Sequence, residues 1–295
     1  MTGKWIPLGP KNAICLTGIN ESLVGGQSFS WTSQSENQWI GVVNGSFVQL
    51  RWVSGQLEWR TSANSRISEK EMLHYLWLDE TYLEAVDSLP WRSDGILSRA
   101  IKQFSGLRIL RQPLDETLLV FLLSSAKSIP QIKQLKEKIY HLLGEEVGEG
   151  IHAFPGWNRL KKLTQLEARK LGTGYRAKFL VGTAEFLGEN PNFLDDLRYI
   201  PYQEAKLRLM NLPGVGPKVA DCVLLFGGEK PEAFPIDTWI LQSLEKQYGM
   251  KAWKISQMEE FARIHFGKYA GLAQQFLFSY QRHFSKTEDA EWTKK

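Results

Sequence analysis

Cysteine is scarce: Cys15 and Cys222 are the two in a chain of 295 residues, and they stand far apart. Two cannot staple a disulfide-dense secreted scaffold, nor build a four-cysteine zinc site or a four-cysteine iron–sulfur cluster. Long apolar runs are missing as well. The opening MTGKWIPLGPKNAICLTG has no stretch of secretory length, and no stretch elsewhere is long enough to cross a membrane. A soluble protein of a reducing compartment, with no membrane partner, is therefore expected. Internal repeats and low-complexity tracts are absent too. Excess charge is small: 36 Lys and Arg against 32 Asp and Glu leave +4, which excludes little but suits a polyanionic partner better than a basic one. The excess is also local. Residues 127–178 carry 11 basic and 5 acidic side chains, a balance of +6, so the remainder sums to −2.

What is present divides the chain in two. From about Gly25 to Thr61, alternation and turn signals predict an antiparallel meander: Ser28–Trp31, Gln38–Val43, Phe47–Val53 and Leu57–Arg60, with Asn44-Gly45 and Ser54-Gly55 as two-residue turns. From Glu69 the hydrophobic period becomes helical, as in Met72, Leu73, Leu76 and Trp77. Pro90 and Arg111-Gln112-Pro113 mark breaks. Leu118–Leu123 then opens a helical region, and the spacing predicts helices over 129–143, 161–166, 174–187, 202–211, 217–226, 238–248 and 256–280. The expected fold is α+β: an N-terminal domain with an antiparallel sheet over 1–112, an all-helical domain over 113–285, and a frayed tail over 286–295.

The most informative stretch is Leu209-Met210-Asn211-Leu212-Pro213-Gly214-Val215-Gly216-Pro217-Lys218-Val219-Ala220. A helix ends near Asn211, a Pro-Gly-x-Gly turn follows, and Pro217 suits the first turn of a new helix. Gly214 and Gly216 allow positive φ and the close approach of a bulky group. Turn amides and the free N–H groups opening the next helix then point outward together, which suits a phosphate. An ordinary corner between two helices is the plainer reading, but L-P-G-V-G is the signature of the helix-hairpin-helix, a binder of DNA backbone. Lys218 falls in the first turn of the second helix, where a lysine kept for solubility alone would be electrostatically misplaced beside the positive helix end. An amine nucleophile suits Schiff-base chemistry. Nineteen positions on, Asp237 stands where a helix N-cap is expected. Beside a sugar gaining positive charge, its carboxylate would stabilise an oxocarbenium-like transition state.

A hairpin with its lysine, followed at this spacing by the aspartate, resembles the helix-hairpin-helix DNA glycosylases. Five segments narrow the resemblance to the 8-oxoguanine DNA glycosylase family: GGQSFSW from Gly25, GLRILRQ from Gly106, LGTGYRA from Leu171, VGPKVADC from Val215 and YAGLAQQFLFS from Tyr269. They run in the family's order over nearly the whole chain. The resemblance implies a bifunctional glycosylase and abasic-site lyase acting on double-stranded DNA that contains 8-oxoguanine, with the chain a monomer. Lys218 would attack C1′, expel the base and hold the sugar as a Schiff base, β-elimination would cut the strand on the 3′ side, and Asp237 would support the attack. Cys222 and Phe278 would cover the two faces of the flipped base and Gln274 would bond its Watson–Crick edge. The carbonyl of Gly26 would meet N7–H, which guanine lacks, a difference of roughly 1–3 kcal/mol. Base extrusion would add earlier checkpoints. Tyr175 would be a wedge and Arg176 a cation facing the estranged base, while Gly214, Gly216 and Val219 would meet the DNA backbone. No cofactor is required. The backbone carbonyls of Met210, Leu212 and Val215 match the family's structural cation site, and no iron–sulfur cluster is expected.

Departures from the family pattern are equally specific. Familiar eukaryotic members carry Asn-Asn-Asn-Ile-Ala-Arg after a Ser-Ser pair, filling the gap left by the flipped base and reading an opposite cytosine. Here the stretch is Ser124-Ser125-Ala126-Lys127-Ser128-Ile129-Pro130-Gln131. Ala126 has no side-chain hydrogen-bonding group and Gln131 is uncharged, which predicts a relaxed opposite-base preference. Trp239 replaces a histidine that contacts phosphate. The missing asparagine run favours a bacterial or archaeal cytoplasm over a nucleus. Alternatives are another helix-hairpin-helix glycosylase of different base specificity or a non-catalytic DNA-binding protein. The cluster-bearing glycosylases need more cysteines than this chain has.

Overall fold

The computed structural model describes residues 3–62 and 65–292, with side chains described as far as Phe284. Five antiparallel strands form the N-terminal sheet: β1 Ile6–Pro7, β2 Trp31–Ser35, β3 Gln38–Val43, β4 Ser46–Val53 and β5 Gln56–Thr61, in the order β1-β5-β4-β3-β2. Asn44-Gly45 and Ser54-Gly55 are all at positive φ, between 48° and 87°, the backbone that two-residue hairpin turns demand. Their register lines up Trp39, Leu50 and Trp59 across three strands, all buried on one face. Gly41 sits opposite Trp31, and a Cβ there would lie 2.6 Å from the indole, so glycine lets that ring lie across the sheet. The Trp31 indole N–H donates to Tyr75 Oη at 2.9 Å.

The sheet meander is present, with differences at its edges. Ser28–Ser30 is a bend, so β2 begins at Trp31, and β1 adds an edge that its two residues did not signal. Helix Leu16–Val24 precedes β2, started by Cys15, whose sulfur accepts from Gly18 N–H. In the helical part, residues 161–164 of the helix expected over 161–166 are instead the turn between two helices, Trp157–Leu160 and Gln165–Lys170. Thr164 starts the second by a capping box, since its hydroxyl accepts from Glu167 N–H and Glu167 bonds back to Thr164 N–H. The long helix expected over 256–280 is broken by Gly267 at φ +65° into Ile255–Phe266, a 3-10 turn and Ala270–Trp292. That last helix continues through 286–292, expected to fray, and 293–295 lie outside the described residues. A short ribbon, Glu146–Gly148 with Ile151–His152, was also unforeseen.

The described residues pack into two buried cores. The sheet's own core gathers Leu8, Ile19, Trp31, Trp39, Leu50, Met72 and Leu76. Helices Thr81–Ser88 and Gly95–Gln103 instead contribute Tyr82, Leu97 and Ala100 to the larger core built around Leu114–Leu123 and Pro217–Phe226. Arg108 joins the two parts. It is 3% exposed, its guanidinium lies 3.9 Å from the Tyr82 ring centre, and it donates to the carbonyls of Gly106 and Trp77. A buried guanidinium is tolerable because its donors are used on fixed backbone acceptors.

Candidate active site

The hairpin forms as its sequence predicts: helix Tyr202–Met210, a turn, and helix Pro217–Phe226. Gly214 has φ +79°, and a Cβ there would lie 2.4 Å from the Phe179 ring, so the turn is seated on helix Ala177–Glu189. Positive φ was expected at Gly216 also, but it is extended at φ −93°, ψ 179°, as the N-cap residue whose carbonyl accepts from Ala220 N–H. A Cβ on Gly216 would touch no protein atom within 4 Å. Pro217 has no N–H, so the amides of Lys218 and Val219 open the helix without an intrahelical acceptor. The Val219 side chain is buried, which leaves its amide as the group able to meet a ligand. Behind the hairpin, buried Asp221 accepts from Tyr202 Oη at 2.6 Å and Lys206 Nζ at 2.9 Å, and Lys206 also reaches Glu259, which fixes the second helix against its neighbours.

One cleft of about 1000 Å³ collects residues that the sequence scatters over 250 positions: Gly26, Lys218, Cys222, Asp237, Gln274 and Phe278 all line it. Lys218 is half-buried, its ammonium 5.5 Å from the Phe121 ring centre. Cys222 follows one helical turn later. Burial pushes its thiol up to about 12, although Lys218 beside it works the other way, so at neutral pH it is a polarisable uncharged surface rather than a thiolate. Asp237 caps helix Thr238–Gln247, one carboxylate oxygen accepting from Trp239 and Ile240 N–H at 3.0 and 2.9 Å. Burial raises its carboxyl above the ordinary range, opposed by those two N–H bonds and by Lys218. Among the described residues no other hydrogen bond to the Asp237 carboxylate is found from another side chain or amide, and the residue lines the cleft.

Gly26 has φ +120°, and a Cβ would lie 2.7 Å from Ile129 Cδ1 and 3.7 Å from Phe278 Cζ. Its loop is held by side chains for which no role is expected above. Gln27, 2% exposed, donates to Arg108 carbonyl at 2.7 Å and accepts from Leu110 N–H at 2.8 Å, and Gln112 donates to the Gln27 carbonyl at 2.8 Å. Gln112 N–H in turn bonds the carbonyl of Phe226, the last residue of the helix carrying Lys218. Both glutamines lie in the GGQSFSW and GLRILRQ segments, which was the available signal. Gln275, Ile129 and Arg282, also in the cleft wall, were missed as well.

Tyr175 and Arg176 do not line the cleft. Tyr175 is exposed and stands edge-on to Phe179. Arg176, expected as a cation facing the estranged base, is 5% exposed: it lies over Tyr175 and donates to the Ser125 carbonyl, so it braces the 124–128 loop from inside. Gln131 is likewise engaged, its Oε1 accepting from Ser128 N–H in a capping box. Trp239 lines the cleft beside Asp237.

A sheet domain leading into helices, with a hairpin amine and a capping carboxylate facing one deep cleft, defines a helix-hairpin-helix DNA glycosylase. Residues 11–118 match the family model of the 8-oxoguanine DNA glycosylase N-terminal domain. An N-glycosylase/DNA lyase of Arabidopsis thaliana is 31% identical over 97% of this chain and 82% of its own length. A probable N-glycosylase/DNA lyase of Methanothermobacter thermautotrophicus is 30% identical over 72% of this chain and 75% of its own. The 8-oxoguanine glycosylase/lyase of Clostridium acetobutylicum, solved with duplex DNA holding cytosine opposite the lesion, superposes with a TM-score of 0.83 at 29% identity, covering 93% of each chain. The chain belongs to the 8-oxoguanine DNA glycosylase family.

Proposed function

We propose that this chain excises 8-oxoguanine from duplex DNA and then cuts the strand, with Lys218 as the nucleophile. The observation that carries the reading is the convergence of Lys218, Asp237, Cys222, Gly26, Gln274 and Phe278 on one cleft. The neutral amine of Lys218 attacks C1′ of the flipped nucleotide, and the C1′–N9 bond breaks with its electron pair leaving on the base. Asp237 stabilises the positive charge that develops on the sugar. The Lys218 nitrogen gives up a proton and its lone pair opens the sugar ring, so that C1′–O4′ breaks and O4′ leaves as the C4′ hydroxyl; the protonated Schiff base at C1′ then acidifies C2′–H, and removal of that proton expels the 3′ phosphate by β-elimination.

The base lies between Cys222 and Phe278, with Gln274 on its Watson–Crick edge and the Gly26 carbonyl at N7–H. The protonated thiol suits stacking, which a thiolate against an electron-rich purine would not. DNA is held by the amides of Lys218 and Val219 and by the turn at Gly214 and Gly216, supported by the basic stretch 127–178. A structural cation on the carbonyls of Met210, Leu212 and Val215 also fits: the Leu212 carbonyl spends one lone pair on Val215 N–H at 3.1 Å and keeps the other. No cofactor enters the chemistry. No helix among the described residues is long and apolar enough to cross a membrane, and a DNA substrate places a monomer of this kind with the genome, in a bacterial or archaeal cytoplasm or in a eukaryotic nucleus. Opposite-base preference is relaxed, because Ala126 is apolar and Gln131 is committed to its helix cap. Borohydride trapping on an 8-oxoguanine duplex tests the core of this reading. Wild type cross-links and Lys218→Gln does not; a wild type that binds the duplex and never traps would end the lyase assignment.

A further inference from the structure

We propose that Gln275 is a positioning residue for base specificity: its amide locks the Gln274 amide in the one sense that fits a guanine-type edge and rejects an adenine-type edge. The inference rests on Gln274 being the reader of the flipped base.

Gln274 and Gln275 are consecutive on helix Ala270–Trp292, 3% and 5% exposed, and both reach the cleft. Gln274 Nε2 donates to the Pro235 carbonyl at 3.0 Å. A carbonyl only accepts, so the atom of Gln274 facing it must be the amide nitrogen. The amide oxygen therefore faces Gln275, which donates to it from Nε2 at 2.7 Å. Turning the Gln274 amide by 180° would set oxygen against the Pro235 carbonyl and NH2 against NH2, losing both bonds in a buried place where water does not replace them. A lone glutamine side chain has no such preference. Its two ends are nearly equal in shape, and it can offer donor–acceptor in either order.

With two of its hydrogen-bonding sites used, Gln274 keeps one N–H and one oxygen lone pair for a ligand. A guanine-type edge presents O6 as acceptor beside N1–H as donor, and an adenine-type edge presents the reverse, an N6–H donor beside an N1 acceptor. The base itself cannot turn over to compensate, because the Gly26 carbonyl fixes its N7–H side and Cys222 and Phe278 fix its faces. Amide sense thus becomes base identity. Pro235 anchors the lock to the segment that carries Asp237, so the reading atoms and the catalytic carboxylate move as one unit. Gly26 separates 8-oxoguanine from guanine; the Gln274–Gln275 pair separates it from 8-oxoadenine, which carries the same N7–H and C8 oxygen.

The two 8-oxopurines therefore make the test. Single-turnover excision of 8-oxoguanine and of 8-oxoadenine, each opposite cytosine, is measured for wild type, Gln275→Glu, Gln275→Met and Gln274→Met. The Gln275→Glu carboxylate repels the Gln274 oxygen and accepts from its NH2, which favours the turned amide, and the 8-oxoguanine to 8-oxoadenine rate ratio falls by about tenfold or more. Gln275→Met, nearly isosteric and without a donor, lowers the ratio less, since the Pro235 bond remains; it also serves if the buried carboxylate prevents folding. A purely structural role would lower both rates together and leave the ratio unmoved, and that result overturns the proposal. Gln274→Met separates the two levels. If it collapses the ratio while the Gln275 variants keep it, Gln275 is not a positioning residue and Gln274 still reads the base. If Gln274→Met leaves the ratio unchanged, the base-reader assignment fails and takes the proposal with it, while trapping by Lys218 still stands on its own result.

Discussion

Gly214 and Gly216, two residues apart in one turn, should respond to the same substitution in opposite ways. Gly214→Ala forces a Cβ residue to φ +79° and drives a methyl to 2.4 Å from the Phe179 ring. The left-handed backbone costs about 1–2 kcal/mol and the overlap in a packed place about 1–3 kcal/mol, so about 2–5 kcal/mol of stability should be lost. In a chain of this size that corresponds to a fall in Tm on the order of 3–8 °C. Gly216→Ala meets neither obstacle, since φ is −93° and the space beside it holds no protein atom. Alanine is a poorer N-cap than glycine but reduces the freedom of the unfolded chain, and the two effects cancel to within about 1 kcal/mol. Its methyl would occupy the space that a phosphate needs to reach the amides of Lys218 and Val219. Losing one charge-assisted hydrogen bond there is worth about 1.5–3 kcal/mol, or roughly 10- to 100-fold in Kd for duplex DNA. Thermal unfolding and fluorescence-anisotropy titration with an 8-oxoguanine duplex read the two effects separately. A Gly216→Ala protein that is stable and binds DNA as tightly as wild type would refute the assignment of this turn to the phosphate backbone.

Asp237 must be ionised to support the attack, and burial raises its carboxyl. Excision should therefore fall, as pH is lowered, at a midpoint above the ordinary carboxylate range, and Asp237→Asn should lower the rate by roughly 10²–10³ and flatten that acid limb. Gln27→Leu strands two buried backbone partners, Arg108 carbonyl and Leu110 N–H. Chemical denaturation should show a loss of about 2–4 kcal/mol, and discrimination between 8-oxoguanine and guanine should weaken with it, because the Gly26 loop is no longer held. Excision compared across 8-oxoguanine paired with C, A, G and T should vary little; a steep preference for C would sink the reading of Ala126 and Gln131. Cys222→Ser should retain trapping with weakened binding of the flipped base, since the thiol is already protonated at neutral pH.

The parts of this molecule that were legible in the sequence are those whose chemistry is local. Asn44-Gly45 and Ser54-Gly55 specify their turns by their own backbone preferences, and Pro213 to Pro217 specifies a hairpin within five residues. Lys218 and Asp237 were recognisable because the hairpin fixes the first and an N-cap position the second. What escaped was decided by partners remote in the chain. Gln27 bonds residues 81 and 83 positions away, and an isolated glutamine looks like any solvated polar side chain. The Arg176 motif likewise says nothing of the Ser125 carbonyl, 51 residues upstream, to which its guanidinium donates. The break at Gly267 had a local signal, a glycine before a new helical period, which the continuous hydrophobic spacing on either side masked.

On the proposed reading, two glutamine clamps would give this site its discriminating power. The lesion differs from guanine at N7 and C8 and from 8-oxoadenine along one edge, and neither difference changes the size of a purine enough for shape to decide. Selectivity then depends on polar atoms that cannot turn away from a wrong base. Gly26 cannot, because Gln27 and Gln112 tie its loop to the body and Gln112 ties it on to the Lys218 helix. Gln274 cannot, because Pro235 and Gln275 hold both ends of its amide. A flexible reader would relax around guanine or 8-oxoadenine and recover most of the lost bonding. A fixed one leaves buried donors and acceptors unsatisfied, and that penalty is what separates one purine from another. Because both clamps run to the segments that carry Lys218 and Asp237, a base that fails to seat would, on the proposed mechanism, also fail to bring C1′ to the amine, and the same few hydrogen bonds would couple recognition to chemistry.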